Sequence, residues 1–494
     1  MTIETPSALE ERPSLPPPVS PSADETAGDG SPALPPGGPW SPPYRLLTTG
    51  LVLTIGGAAF EALAVATILP ATVRDLGGLA LYGWVFSAFM LANLIGTAIA
   101  GGEADVRGPA RPFAIGVGLF VAGLVIGGTA PSMTALIVGR AVQGLGGGVI
   151  GSVAYVAVGR GYPAAAKPRM LALMSTAWVV PGLIGPAIAG LMADHLGWRW
   201  VFLGLGPLML IAAVLALPPL RRIPGGRTLV RDWWRIVRAI QLAAGCGVLL
   251  AGLSAHRLIA MPLILIGGAV GWPALRRLLP EGTMRAAPGL PAAVATMGLL
   301  NLAFFGADAF VPLALTAVRG RSASFAGLAL TAATITWSTG SWVQARATRR
   351  PRRQVVRTGL SLVAAGIGGV ALVLGPAVPS QLAVVAWGIA GLGMGLAYST
   401  MSLVVLETAP VGQEGVSTAG MQLANALGVA LGAGLGGALI AAFQRGEEVS
   451  TTSLLSQNLL MIGVIGIAFA IAGRLPARPP RDREAETAEA DVFA

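Results

Sequence analysis

The chain has 494 residues, of which 54% are hydrophobic and only 11% charged, with a formal net charge of +10 and one cysteine. Soluble domains carry about a quarter charged residues, so a chain this long and apolar needs lipid as its solvent. The single cysteine excludes an internal disulfide, and the basic residues gather in short loops between apolar runs, which is membrane topology and not a nucleic-acid surface.

Backbone polar groups in lipid must find partners inside the chain, which leaves helices or closed barrels. The apolar runs are about 20 residues or longer, which selects helices. Residues 1–44 are rich in Pro, Ser and acids and are expected to be disordered. Fourteen spans follow, at about 46–70, 79–101, 113–131, 134–158, 169–193, 200–218, 238–255, 258–275, 288–317, 323–344, 356–376, 380–408, 416–443 and 453–474. The 239–275 region reads as two spans or as a re-entrant pair.

With a cytoplasmic N-terminus, the loops after even-numbered spans and the C-terminal tail hold 24 basic residues, and the other loops hold six. The positive-inside rule then places both termini in the cytoplasm, and the expected location is the plasma (inner) membrane. Span 4 carries Gly144, Gly146 and Gly148. Span 12 repeats the spacing with Gly391, Gly393 and Gly395, and Ser152 and Ser399 follow at the same offset. A duplicated six-helix bundle would leave such an echo, and so would chance among 69 glycines.

The inventory excludes several chemistries. The one lysine, Lys167, lies between Ala166 and Pro168, so there is no Walker-type phosphate cradle. The two histidines, His195 and His256, fall in separate loops. No enzyme activity, metal site or cofactor is expected, and an ion gradient or the substrate's own gradient must supply the energy.

Charges within spans are costly and mark cavities or partners. Glu61 lies in span 1 on a seam of small or polar residues with Gly50, Thr54 and Gly57. A partly desolvated carboxyl there can exchange protons near neutral pH; it can also be a structural group bonded to a neighbouring helix. Asp308 is the counterpart in span 9, with Asn301 seven residues earlier on the same face and Phe304, Phe305 and Phe310 nearby. Aromatics beside an acid suit a cationic, amphipathic ligand, although each phenylalanine can equally be core. In span 4, Arg140 with Gln143 one turn away must reach a carboxylate, a carbonyl or water, or else snorkel to the interface. Thr54, Gln143, Asn301, Phe304 and Phe305 are the candidate substrate-cavity residues.

Span 5 places Gly182, Pro186 and Gly190 four residues apart, with Gly185 beside the proline, and span 13 repeats the spacing at Gly428, Gly432 and Gly436. These are small-residue packing faces that either slide or stay static. The segment 221–238, with Trp233 and Trp234 among arginines, reads as a strip on the cytoplasmic leaflet or as a linker.

Taken together these residues resemble the major facilitator superfamily and, within it, the fourteen-span drug:proton antiporters. Gly185-Pro186-Ala187-Ile188-Ala189-Gly190 is similar to the family's antiporter motif, with Ala189 in place of the first of its two final glycines. Gly197-Trp198-Arg199-Trp200-Val201-Phe202 resembles the run that opens the next span in the fourteen-span group. Arg140-Ala-Val-Gln143-Gly144 looks like the span 4 motif, whose arginine is linked to proton coupling. Glu61 stands where that group usually has an aspartate, and Ala66 replaces its usual asparagine. In the loop after span 2, Gly101, Asp105 and Gly108 keep the family's register. Val106 replaces an arginine there, Arg107 falls at a variable position, and Arg111 follows a lost arginine pair.

The resemblance implies an all-α integral membrane protein of the major facilitator fold, with two six-helix bundles and two extra spans between them. Residues 45–220 and 287–475 would be the bundles, 221–286 the basic linker with the extra spans, and 1–44 and 476–494 cytoplasmic tails. It implies a monomer that exchanges protons for a small amphipathic or cationic compound by alternating access. Glu61, Asp308 and Arg140 would couple the proton, and Gly101, Asp105, Arg107, Gly108, Arg111, Gly182, Gly185, Pro186, Gly190, Trp198 and Arg199 would form the gates. Export of an endogenous lipid or secondary metabolite, an uptake symporter and a non-transporting membrane sensor stay open.

Overall fold

A computed structural model describes residues 37–225, 233–255, 257–346, 350–409, 414–443 and 449–476. Most of the Pro-rich tail, the centre of the basic strip, His256, Arg445 and the C-terminal tail lie outside them. Fourteen helices of membrane length run in sequence. They are α1 (Arg45–Leu76), α2 (Tyr82–Arg107), α3 (Ala110–Gly128), α4 (Met133–Gly161), α5 (Lys167–His195), α6 (Arg199–Leu220), α7 (Trp233–Leu253), α8 (Arg257–Leu278), α9 (Leu290–Val318), α10 (Ala323–Arg346), α11 (Arg352–Val373), α12 (Leu382–Thr408), α13 (Glu414–Phe443) and α14 (Thr451–Ile471). The 239–275 region is therefore two full helices and not a re-entrant pair.

Thirteen of these helices are apolar enough as well as long enough to cross a membrane. The exception is α10, which carries Thr331, Thr334, Thr336, Ser338, Thr339 and Ser341. Hydroxyls of this helix donate to carbonyls one turn back, for example Thr334 to Leu330 (3.1 Å) and Thr339 to Ile335 (3.0 Å). That satisfies these hydroxyls in a setting without water, while Thr331 Oγ1 is buried with no partner among the described residues.

Helix ends follow local chemistry. Gly77 and Gly108 take positive φ (68° and 79°) where α1 and α2 stop, a backbone state that favours glycine. Ser132 caps α4 by accepting from the Ala135 N–H (3.3 Å). Residues 37–44, expected to belong to the disordered tail, instead fold against the bundle. The Thr48 hydroxyl donates to the Pro39 carbonyl (2.6 Å), and Tyr44 stacks on Tyr162 at 5.3 Å. An aromatic and a proline with an apolar surface to cover explain the difference. Burial pushes the Tyr162 phenol up to about 12, so it stays neutral beside Thr48 (2.8 Å).

Two apolar cores form, one centred on α1–α6 and one on α9–α14. Their inner plan repeats. Cβ atoms on Gly144 and Gly148 of α4 would strike the backbone of α2 at Phe89 and Asn93, and one on Gly146 would strike α3 at Gly116 and Phe120. Gly391 and Gly395 of α12 meet the backbone of α10 at Ala333 and Trp337 in the same way, and Gly393 meets α11 at Gly359 and Val363. The glycine echo of the sequence is thus a structural repeat. Each half drives one helix against two others through backbone contact, where only glycine fits.

Even helix number puts the start of α1 and the end of α14 on one face. The Arg474 guanidinium donates there to the carbonyls of Arg285 (2.8 Å) and Ala286 (3.0 Å), just before α9. The other face is here called the far face. The extra pair α7–α8 lies outside the two cores. Helix α7 packs on α2 and α13, and α8 packs on α7 and leaves Leu258, Met261 and Leu265 exposed. Lipid is the natural cover for such a surface.

Candidate functional site

Three helices of the first half converge on Arg140. Its Nη1 donates to Glu61 Oε1 of α1 and to Gln143 Oε1 (2.7 Å), its Nε donates to the Val85 carbonyl of α2 (3.2 Å), and its guanidinium lies 4.2 Å from the centre of the Phe89 ring. Side-chain exposure is 3% for Arg140 and 2% for Glu61. The arginine therefore pairs inward and does not snorkel, because an ion pair in the interior replaces the solvent that either charge would otherwise seek. Two polar atoms of the group, Glu61 Oε2 and Gln143 Nε2, are buried without a hydrogen-bond partner among the described residues.

Thr54, expected in the cavity, belongs to a packing face. Its hydroxyl donates to the Gly50 carbonyl (2.6 Å) in its own helix. A Cβ on Gly50 would lie 2.7 Å from Ala216, and one on Gly57 2.7 Å from the Met209 sulfur, both on α6. The seam that leads to Glu61 is where α1 meets α6.

The second half gathers an aromatic group. Regular α-helix in α9 ends at Asp308 and resumes at Val311. At this break the Trp387 Nε1–H of α12 donates to Asp308 Oδ1 (2.8 Å). Phe304 stacks on Trp387 (5.2 Å between centroids) and meets Trp337 edge-on (5.7 Å); Phe305 and Tyr398 extend the group through Trp337 at 6.2 and 5.6 Å. Phe304 is buried in this stack and does not line a cavity, while Phe305 is half-buried. Asn301 is fully buried; its Nδ2 donates to the Met297 carbonyl (2.8 Å), and its Oδ1 has no partner among the described residues. Sequence reasoning missed Trp337, Trp387 and Tyr398, since no local pattern tells a tryptophan facing a neighbour from one facing lipid.

The structure does not bring Glu61 and Asp308 into one hydrogen-bonded group. What lies beside Asp308 from the other half is Tyr82 of α2, whose hydroxyl donates to the Ala309 carbonyl (3.0 Å) and whose ring stacks on Phe310 at 5.1 Å.

The glycine-proline motif of α5 lies at the seam between halves. Gly182 faces Thr334 of α10, the Pro186 carbonyl faces Gly327, and a Cβ on Gly190 would lie 2.7 Å from Ser324 Cα. Gly185 turns the other way, toward Phe60 of α1. One turn beyond Gly190, the Asp194 carboxylate accepts from the N–H groups of Ala323 (3.3 Å) and Ser324 (3.1 Å) and from the Ser324 hydroxyl. It thus caps α10 from across the seam, a role sequence reading missed. On the other seam Gly83 of α2 abuts Gly437 Cα of α13 (3.0 Å to the position of a Cβ), and Ser87 donates to the Ala430 carbonyl (2.7 Å). Both seams thus interlock toward the far face. By contrast Gly428, Gly432 and Gly436 pack on α9 inside the second half, so that stripe is internal packing and not a sliding contact.

Trp198 and Arg199 clamp the far end of α1. Trp198 Nε1 donates to Asp75 Oδ2 (3.1 Å), Arg199 pairs with the same oxygen, and its guanidinium lies over the Trp198 ring at 4.3 Å. At the end of α2 Arg107 pairs with Glu103 (2.9 Å), in the turn that follows Gly108 sits against the Ile223 carbonyl, and Arg111 in the first turn of α3 is exposed. The side chains at Gly101 and Asp105 lie outside the described residues.

Inward-facing charges at the cores of two repeated bundles, with interlocked seams between them, suit a carrier. Known proteins agree with that arrangement. The multidrug transporter protein MdtP of Bacillus subtilis is 27% identical over 80% of this chain and 75% of its own length. A chain of Mycobacterium tuberculosis named as a probable multidrug-efflux transporter is 27% identical over 88% of this chain and 97% of its own. Among solved structures, a POT family transporter in complex with 5-aminolevulinic acid has a TM-score of 0.65 at 16% identity, covering 89% of this chain and 98% of its own. A bacterial homologue of the human lysosomal transporter Spinster, inward-facing and unoccupied, has a TM-score of 0.63 at 14% identity, with 88% and 98% covered. Those two likenesses show the fold. The family model described as Major Facilitator Superfamily matches residues 50–307, more than half of the sequence, and with it the chain belongs to the Major Facilitator Superfamily.

Proposed function

We propose that this chain exports small amphipathic or cationic compounds in exchange for protons, with Glu61 as the proton site. The observation that carries the reading is the buried Glu61–Arg140 pair, in which one carboxylate oxygen is committed to arginine and the other has no partner among the described residues. A proton on Glu61 removes the charge that Arg140 neutralises. The arginine then keeps only Gln143, the Val85 carbonyl and the Phe89 face. Because the pair ties α1 to α4 and α2, its state bears on how those helices stand to one another, and binding that differs between two states shifts their populations.

The arginine-rich face is the cytoplasmic one in this reading, with both termini on it, in the plasma membrane. The far-face interlocks then close the outer side. Substrate meets the half-buried Phe305, Trp337 and Tyr398, near Asp308, where aromatic faces suit a cation. No covalent step is involved, and a monomer suffices. The relatives named for multidrug transport support the substrate class.

The test is export of a fluorescent cation by energised inverted vesicles that contain the unmodified protein or Glu61→Gln. Export by the unmodified protein should collapse when the proton gradient is dissipated. Glu61→Gln at normal membrane abundance should fall to the background of empty vesicles. Unchanged export by the mutant would move the proton site elsewhere, with Asp308 the next to test.

A further inference from the structure

The two seams between the halves are covered differently. Along α2 and α13 the extra helix α7 fills the space. Leu250 lies against Gly434, and Leu242 packs with Leu427, with Leu94 of α2 beside them. Along α5 and α10 no helix among the described residues covers the seam, and a groove of about 380 Å³ opens between Val179 and Leu183 on one side and Ile335, Ser338, Thr339 and Trp342 on the other.

Helical spacing sets its direction. On α5, Gly182 and Gly190 point at α10 and Gly185 at α1, so Val179 and Leu183 fall on the side away from α1, toward lipid. On α10, Thr336 bonds to the Gly388 carbonyl of α12 and Gly327 meets α5, so Ile335, Thr339 and Trp342 fall on the same outer side. The groove ends where Gly182 meets Thr334. From Trp342 to Thr334 is about 12 Å along the helix, the depth of part of one acyl chain.

The open end is cationic. The Arg346 guanidinium lies 5.6 Å from the centre of the Trp342 ring, and Trp342 is 66% exposed. Arg169 is exposed near the start of α5 on the same face. A tryptophan with an arginine beside it at the end of an apolar groove matches the headgroup level of a leaflet.

We infer that this groove binds an anionic phospholipid of the leaflet at the terminus-bearing face, with one acyl chain between α5 and α10 and the headgroup at Arg346. A chain held there keeps α5 and α10 apart on that half while Gly190 and Asp194 hold them together on the other. The lipid therefore favours the conformation described above, by preferring one of two states.

The test uses the full chain in lipid nanodiscs doped with phosphatidylglycerol or phosphatidylcholine, each carrying a photoreactive group along one acyl chain. Labelled peptides are mapped by mass spectrometry. Phosphatidylglycerol should label the segments around Val179–Leu183 and Ile335–Trp342 about fivefold more than phosphatidylcholine, the preference expected of one arginine near the membrane surface. Arg346→Gln should bring the two lipids level. Ile335→Trp, which fills the exposed groove and leaves the cores untouched, should remove the label while gel filtration and helicity stay unchanged. Equal labelling by both lipids in the unmodified chain, label spread evenly onto the exposed face of α8, or labelling of the groove by an amphipathic dye with none by phosphatidylglycerol would each overturn the inference.

Discussion

Arg140→Met is expected to destabilise the folded protein by about 3–5 kcal/mol, the usual effect of leaving a buried charge without its partner. Glu61 would remain in a site that is 2% exposed, with both carboxylate oxygens short of donors. Glu61→Gln should be milder, about 1.5–3 kcal/mol, the scale of a hydrogen bond to a charged group. The amide oxygen can still accept from Arg140, and the guanidinium keeps the Val85 carbonyl, Gln143 and the Phe89 face. The double change Glu61→Leu with Arg140→Met should return stability to within about 1 kcal/mol of the unmodified chain, since an apolar pair replaces an ion pair of similar volume. Net transport driven by a proton gradient should be absent in all three. Reversible unfolding in mixed micelles measures the order. If Arg140→Met unfolds no more easily than Arg111→Met at the exposed start of α3, the buried pair is not what holds α1 to α4.

Gly144→Leu and Gly327→Leu make the same chemical change and should give opposite failures. A Cβ on Gly144 would lie 2.9 Å from the Phe89 carbonyl carbon and Cα, and a Cβ on Gly327 2.8 Å from the carbonyl carbon of Pro186. In each case the obstacle is backbone and cannot rotate away. Gly144 lies inside the first half, between α4 and α2, so the half cannot assemble and folded protein should be lost. Overpacking of a close-packed core already destabilises by about 1–3 kcal/mol when side chains alone must move. Gly327 lies between the halves. Gly327→Leu should leave both halves intact and membrane abundance near normal, yet prevent α5 and α10 from closing, so transport is abolished. A cysteine pair at Asp194→Cys and Ser324→Cys reports the closure directly. It should cross-link in the otherwise unmodified chain and fail to do so with Gly327→Leu. Full cross-linking and normal transport by Gly327→Leu would mean that this seam is not an obligatory contact of the cycle.

What the sequence could and could not reveal follows from the range of the interactions. Span positions are set by local apolar runs, so all fourteen were legible, including α10, whose many hydroxyls lower its hydropathy without preventing a helix. The glycine echo was legible because backbone-to-backbone packing admits one residue type at fixed spacing. Small faces were legible as faces, but not what they meet. Gly50, Thr54 and Gly57 fit a neighbouring helix and a cavity equally well on paper, and α6 decides it. Likewise α13 carries small residues on two faces, Gly428, Gly432 and Gly436 against α9 inside its half and Gly437 against Gly83 between the halves. The partners of charges were out of reach. Arg140 meets a residue 79 positions away, and Asp194 caps a helix that begins 129 positions later. Trp387 is fully buried on Asp308 and Trp342 is exposed, yet both stand in membrane-length helices with no local mark to separate them.

The most direct test of the account is proton movement in proteoliposomes that hold the purified full chain with a pH dye in weakly buffered lumen. Adding a cationic substrate outside proteoliposomes of the unmodified protein should draw protons out in exchange and raise the lumenal pH. Glu61→Gln should bind the substrate and exchange labelled for unlabelled substrate at equilibrium, yet move no protons. Proton release by Glu61→Gln equal to that of the unmodified chain would contradict the assignment of the proton to the Glu61–Arg140 pair.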